Sequence, residues 1–460
     1  MLWGKRYRRY YGTGVAVPAV RLDTLYGGLV PVRKGGGQQT KSLRLRHTSG
    51  KEYVMRALRK QAEQYLQALA FKDRYIMGEF EGTVPISLLQ DLYTGAHPYA
   101  PFTLNPLADS LQIYHTNPVL MYVPKQPALG KYNRDFGDEL YMIEEHVSGG
   151  HDLSSFGYAD DIESTYKLLE RLREDEKYTV DTDAYIRARL FDMLIGDWDR
   201  HQDQWRWAEF PQKDSGKVIF RPIPRDRDQV FSIMGDGSIG WLLTRLVPGL
   251  RKMEGFAPEI RDVRTFNTNP FTLDRALLSQ VTLDNWLEQA TFIQEKVTPE
   301  LMDQALEGFP AEVRDSTLLQ IKKTLLRRLQ HLDAYAHSYF NVLQEQVIVH
   351  GTDKDDWFEI KAAGEKQIAV TGYRIIKGEK AKLFYQKTFD PELTREIWLY
   401  GLDDSDRFQI DLPGSNRIVV RIVGGLGNDQ YEVASGKKVR LYDYKSKKSV
   451  LRVRAGQKPC

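Results

Sequence analysis

One cysteine stands in 460 residues, at position 460, so no disulfide can form within the chain. That fits a reducing compartment, and equally the exported proteins that use no cysteine. No apolar run approaches the roughly 18 residues of a membrane-spanning helix. The N-terminus carries basic residues (Lys5-Arg6-Tyr7-Arg8-Arg9) without an apolar segment after them, and reads as no signal peptide. Charge of one sign is also scarce: 65 Lys and Arg against 62 Asp and Glu leave +3. So small an excess excludes a global field for nucleic acid, and short basic runs near the ends read as solvated segments. Apolar content of 42% and charged content of 28% belong to a folded chain with substantial cores, long enough for two or three domains.

The chain is organised around residues 192–231. An apolar stripe (Ile186, Leu190, Met193, Leu194) predicts a helix that runs into the loop Asp197-Trp198-Asp199-Arg200-His201-Gln202-Asp203-Gln204. A polar turn follows, then a strand ending in Pro224-Arg225-Asp226-Arg227-Asp228. Carboxylates and amide oxygens are hard ligands suited to Mg²⁺ or Mn²⁺. Phosphoryl transfer uses a loop Asp to orient the acceptor hydroxyl, an amide further along, and a metal-binding Asp on the following hairpin. Asp199, Gln204 and Asp226 fall in that order, with Asp228 as a second metal ligand. The competing reading makes Asp197, Arg200, Asp226, Arg227 and Asp228 a salt-bridge lattice. His201 reads as a structural hydrogen-bonding residue, and Trp198, Trp205 and Trp207 as core around the loop.

Upstream, residues 1–20 read as a lead-in arm. Strand-like Leu29–Val32 leads into Gly35-Gly36-Gly37-Gln38-Gln39-Thr40-Lys41, whose backbone N–H groups and side chains suit phosphate oxygens. Ser42–His47 alternates with period two, Thr48–Lys51 is a turn, and Glu52–Leu58 is the return strand. A helix is predicted over about 61–95, then strand-like pieces at Gln112–His115, Val119–Val123 and Leu140–Glu144. The chain is expected to be mostly helical from 160 to 345, ending in one long helix over 311–345. From 346 onward it turns β-rich. Gly351–Ile360, Gly401–Ile410 and Gly424–Val433 share an acidic turn, an aromatic residue and an aliphatic residue two positions later, as stacked strand-turn-strand units would.

Taken together, the glycine-rich hairpin, basic strand, helix, acidic loop and Asp hairpin resemble the atypical branch of the protein-kinase-like fold. The likeness is greatest to spore-coat CotH-type kinases, and more distant to HipA toxin kinases, secretory-pathway casein kinases and type II phosphatidylinositol 4-kinases. It covers about 20–345 and rests mainly on 192–231. It implies an α+β chain with a small β-rich N lobe and a helical C lobe, followed by a small all-β domain, with boundaries at 1–150, 151–345 and 346–460. It implies Asp199 as the catalytic-loop acid, and Gln204, Asp226 and Asp228 as metal ligands. Gly35, Gly36, Gly37, Gln38, Thr40, Lys41 and Arg56 would then hold ATP or another nucleotide. Arg56 stands where such kinases place a lysine, Gln204 where they place asparagine, and Arg225 where CotH-type proteins place an aromatic residue. Gln90 or Asp91 is the candidate helix partner for Arg56. Asp135-Phe136-Gly137 spells a kinase motif but precedes the acidic loop, so its order excludes it.

The chain also resembles an uncharacterised module of bacterial envelope proteins associated with metallophosphoesterase and outer-membrane barrel partners. That implies a protein or envelope acceptor and a location in the cell envelope. The turn Gly424–Asp429 resembles one calcium-binding repeat of the RTX type, so Ca²⁺ is a candidate ligand there, although solvent-facing turn chemistry is the simpler expectation. Two further readings stand beside the phosphotransferase: a degenerate kinase-like binding module, and a phosphoesterase using Asp197, Asp199, His201, Asp226 and Asp228 around two metals about 3.5–4 Å apart.

Overall fold

A computed structural model of the chain describes residues 4–35, 40–58, 91, 93–149, 153–412, 414–444 and 449–453. Five antiparallel strands build the small lobe: β1 (Leu29–Gly35), β2 (Ser42–His47), β3 (Glu52–Ala57), β4 (Val119–Val123) and β5 (Glu139–Glu145). Their order is β1-β2-β3-β5-β4. The period-two pattern of β2 sends Leu43 and Leu45 into a core with Met55, Tyr141 and Ile143. Arg44 and Arg46, on the other face, pair with Glu52. Gln112–His115 carries no strand. The chain closes the short helix Asn105–Ser110 there, with Gln112 in the left-handed region (φ 54°) and Ile113 N–H donating to Ala108 O. Of the helix expected over 61–95, only Asp91 and 93–95 fall among the described residues.

The arm also departs from expectation. Tyr7 and Tyr10 are buried, and the Tyr7 hydroxyl donates to Phe231 O at 2.6 Å. Their ring bodies fill core space against His97 while the hydroxyls keep polar partners.

The second lobe contains the helix Thr182–Ile195, capped by the Asp181 carboxylate and ended by Gly196 at φ 76°. Ile186, Leu190, Met193 and Leu194 on this helix are fully buried, as the stripe requires. The lobe is less purely helical than expected. It holds a four-stranded sheet of β6 (Asp161–Ser164), β7 (Tyr178–Val180), β8 (Trp205–Pro211) and β9 (Val218–Pro224), ordered β6-β8-β9-β7. The long helix is two, Ser316–Gln330 and Leu332–Gln344, broken at His331. Both halves bury against one core, so the apolar spacing runs through the break unmarked.

Beyond it the strands alternate between two facing sheets. One is parallel: β10 (Gln346–His350), β14 (Glu396–Leu402), β16 (Val419–Gly425) and β18 (Val439–Tyr442). The other holds β11 (Asp356–Ala363), β15 (Arg407–Asp411), β17 (Gln430–Ser435) and β19 (Val450–Val453), widened by the antiparallel pair β12 (Gln367–Ile376) and β13 (Glu379–Phe389). The three sequence units lie in register. Phe358, Phe408 and Tyr431 stack with centroids 5.6 and 5.2 Å apart. Ile360 pairs with Ile410, and Ile410 with Val433.

One acid of each turn faces inward, Asp356, Asp406 and Asp429 being buried, while Asp404 is exposed. Asp356 N–H donates to Asp406 Oδ1 (2.8 Å) and Asp406 N–H to Asp429 Oδ1 (2.9 Å), so each acid caps its neighbour's turn. The glycine five residues earlier makes the room. A Cβ on Gly401 would collide with Asp406 Oδ2 and lie 2.5 Å from Gly424 O.

Candidate active site

The helix Thr182–Ile195 and the β8–β9 hairpin deliver their acids to one region facing the small lobe. The left-handed turn at Gly196 swings the chain out of the helix, and the loop closes in the single turn Gln202–Gln204 before β8. Gln204 O accepts from Arg225 N–H (2.9 Å) and Arg200 Nη2 (3.0 Å), which ties the loop to the end of β9. Asp226 follows at φ 58°, a conformation that Asp tolerates better than most residues. Arg56 of β3 reaches it from the other lobe: Nη1 donates to Asp226 Oδ1 at 2.6 Å, and Nη2 lies 3.3 Å from Glu144 on β5.

Asp199 is held differently. Its Oδ1 accepts from Asn269 Nδ2 (2.6 Å), and Asn269 Oδ1 accepts from Lys252 Nζ (2.5 Å). Burial and then the charge of Asp228 raise Asp199 above the usual carboxylate range. The charge of Asp228 also acts on Arg56, so Asp199, Asp228, Asp226 and Arg56 share one electrostatic neighbourhood. Gln204 is nearly buried, and its Oε1 has no hydrogen-bond partner among the described residues. Its Nε2 lies 3.3 Å from His201 Nε2, and the His201 ring caps the turn by accepting from Asp203 N–H.

Asp197 also feels the charge of Asp228, but arginines hold it. It is fully buried beside Arg200 (3.4 Å) and Arg227 (3.6 Å). These two arginines share Asp192, which also pairs with Arg189, and Arg189 pairs in turn with Asp274. A salt-bridge lattice therefore exists and takes Asp197, Arg200 and Arg227 of the five expected residues, whereas Asp226 pairs with Arg56 of the other lobe. Burial raises Asp197 to about 7, offset in part by Arg200. Of the five residues of the phosphoesterase reading, Asp197 lies among these arginines and Asp226 pairs with Arg56.

The remaining candidates are spread. Gly35 ends β1, while Gly36, Gly37 and Gln38 lie outside the described residues. Thr40 precedes β2. Lys41 donates to Asp135 O (2.6 Å) and pairs with Glu139, so its ammonium is engaged at the far end of β5 from Glu144 and does not substitute for Arg56. Lys34 pairs with Asp135, which places the out-of-order kinase-like tripeptide against the base of the hairpin. Asp91 is bound by Arg6 and Arg8 rather than by Arg56. Gln90 lies outside the described residues.

Besides Asp226, Arg56 pairs with Glu144, which sequence reading placed in a strand-like piece but did not offer as its partner. Its position at the end of the alternating strand Leu140–Glu144 was the available signal. Asn269 and Lys252 had none, since they lie 70 and 53 residues beyond Asp199 on separate segments. Trp205 and Trp207 are fully buried core, and Trp198 nearly so.

Among the described residues, no three His, Cys, Asp or Glu side chains converge into a metal cage. The oxygens present, from Asp226, Asp228 and the unpartnered Gln204 amide, fit a hard cation of the Mg²⁺ or Mn²⁺ kind. Such cations are commonly held by one or two carboxylates and completed by substrate phosphates.

No family model and no curated protein matches the chain. Solved structures do match at low identity. The Helicobacter pylori proinflammatory kinase CtkA is 11% identical, with 65% of this chain and 93% of that chain covered and a TM-score of 0.32. The Chaetomium thermophilum Rio2 kinase, solved as an ADP/Mg²⁺-phosphoaspartate complex, is 12% identical over 66% and 71% at 0.31. A Golgi casein kinase with Mn/ADP bound is 11% identical over 70% and 73% at 0.32. None of the described helices is long and apolar enough to cross a membrane.

Proposed function

We propose that the chain is a metal-dependent phosphotransferase of the CotH-like kind. In this reading it moves a phosphoryl group from a nucleotide to a hydroxyl of a protein or envelope component. The observation that carries the reading is the pairing of Arg56 with Asp226 across the two lobes, beside an acid, Asp199, that is kept out of the arginine lattice. Asn269 occupies one oxygen of Asp199, leaving the other to receive the acceptor's proton. Burial and Asp228 raise the basicity of that carboxylate. Arg56 offers a guanidinium fork to phosphate oxygens, where a lysine would offer a point charge. Gln204, Asp226 and Asp228 would hold the divalent ion, whose chemistry there is to neutralise charge on the phosphoryl oxygens. The envelope location and acceptor rest on the sequence resemblance alone.

A second reading, nucleotide binding without turnover, is favoured by one feature: Arg56 occupies the carboxylate that would take the metal. Thermal-shift titration of Mn²⁺–ATP, alongside phosphate transfer to a generic acceptor, separates the two. The phosphotransferase reading expects a metal-dependent shift that Asp226→Ala abolishes, together with measurable transfer. A shift without transfer favours the binding module, and no metal-dependent shift overturns both.

A further inference from the structure

Arg328 presents a charge that the fold leaves unanswered. It lies on the helix Ser316–Gln330 and is 1% exposed. Its Nε and Nη1 donate to Ala257 O and Met193 O, both at 2.7 Å, and its guanidinium stacks on Phe256 at 4.6 Å. It makes no ion pair among the described residues, and burial lowers it to about 9. A buried guanidinium normally has a carboxylate partner, because carbonyl oxygens satisfy its hydrogens without neutralising its charge. Arg189 and Arg200, equally buried, and the nearly buried Arg227 are all paired that way.

Arg328 lines a half-open cavity of about 320 Å³ that is also lined by Arg245, Arg251 and Lys252. The acids around this cavity are already committed. Glu254 pairs with Arg261, Glu259 pairs with Arg327, and Asp262 caps the turn at Thr265 while feeling the charge of Arg251. Arg245 and Arg251 are exposed and, like Arg328, make no ion pair among the described residues.

We propose that this cavity is an anion-binding site for a phosphate group, separate from the site built on Asp199 and Asp226. A phosphate dianion accepts several charge-assisted hydrogen bonds from guanidinium groups, and it would answer both the buried charge and the two exposed ones. Lys252 joins the two sites physically: it lines the cavity and donates to Asn269, which holds Asp199. A phosphorylated side chain and free phosphate present the same dianion, and the cavity recognises the chemistry that the two share.

The test is calorimetric titration of the whole chain with inorganic phosphate at fixed ionic strength. Arg245→Ala/Arg251→Ala is compared with wild type because both side chains are exposed and their loss spares the core. The expected result is saturable binding weakened at least ten-fold in the double variant, with the Mn²⁺–ATP thermal shift unchanged. A phosphoserine peptide that displaces phosphate, when its unphosphorylated form does not, identifies a modified side chain as the source. Failure of the peptide to compete identifies free phosphate. Absence of saturation, equal affinity in the double variant, or equal competition by chloride overturns the site. So does loss of the Mn²⁺–ATP shift in the double variant, which would make the cavity part of the nucleotide site.

Discussion

Asp197 and Asp199 stand two residues apart and meet opposite fates. Asp197 turns into the protein between two arginines, while Asp199 turns toward an asparagine and a lysine and pairs with no arginine among the described residues. The end of β9 repeats the contrast. Arg227 points inward to Asp192, while Asp226 faces Arg56 of the other lobe and Asp228 acts electrostatically on Asp199. No strand alternation sorts this acidic, arginine-rich segment into a structural half and a half available for chemistry, since residues two apart in a strand would share a face. The irregular backbone after Gly196 and the left-handed Asp226 set each side chain separately. What separates the halves is which arginine each acid meets. A carboxylate between guanidinium groups in the interior holds the fold, and one whose field comes from other carboxylates is free to take up a proton or a cation.

The structural half is where a substitution should cost most. Asp192 is shared by Arg189, Arg200 and Arg227, all of them nearly or fully buried. Asp192→Ala leaves those charges short of a counter-ion, and breaking a buried pair from one side costs about 3–5 kcal/mol. Urea denaturation is expected to show a loss of that size. A loss under about 1 kcal/mol, as for a surface pair, would mean that the lattice does not hold the lobe together.

The β region sharpens the comparison by burying acids with almost no arginine. Asp406 is pushed up to about 9 and Asp356 and Asp429 to about 6, burial being the largest cause in each case. Arg374 pairs with Asp356 at 3.2 Å, while Asp406 faces Asp356, Asp429 and Asp355, and Asp429 faces Asp443. Because these folded values lie above the unfolded value near 3.9, the protonated acids favour the folded state. Their contribution is complete below about pH 4 and is lost as pH rises through about 6 and then about 9. A stability loss of several kcal/mol across that window is expected, most of it from Asp406 and less than additive because the acids interact. Asp406→Asn keeps the acceptor for Asp356 N–H and removes the charge, so its stability profile by thermal melting should be the flatter one above pH 7. Matching profiles for variant and wild type would refute the assignment.

The parts of this arrangement that could be read from sequence are those written into short spacing. The apolar stripe at Ile186, Leu190, Met193 and Leu194, the alternation in Ser42–His47 and the in-register positions Phe358, Phe408 and Tyr431 each follow from one helical or strand period. Asp199, Asp226 and Arg56 were singled out by their order along the chain, and of these the structure pairs Arg56 with Asp226. What escaped depends on tertiary placement. Asn269, Lys252 and Glu144 reach the site from elements with no motif of their own, Asp91 is captured by the N-terminal arm, and the inward turn of Asp356, Asp406 and Asp429 depends on the neighbouring rung. A run of aspartates looks alike in sequence whether it caps a buried turn, fills an ion lattice or borders a cleft.

Asp228→Asn is the smallest expected effect and the most direct test of that sorting. Asp228 receives Gln229 Nε2 at 3.1 Å and raises both Asp199 and Asp197 through its charge. Replacing it with asparagine keeps an acceptor for Gln229 and removes a repulsion that both neighbouring acids feel. Stability should therefore stay within about 0.5 kcal/mol of wild type or rise slightly, and the protonation of Asp199, followed by carbonyl-selective NMR, should shift to lower pH. If Asp228 instead belongs with Asp192 and Asp197, the same change removes a needed negative charge. The fold would then lose about 3 kcal/mol while Asp199 stayed where it was. One substitution thus gives opposite signs for the two classes of acid, and needs neither nucleotide nor metal to read.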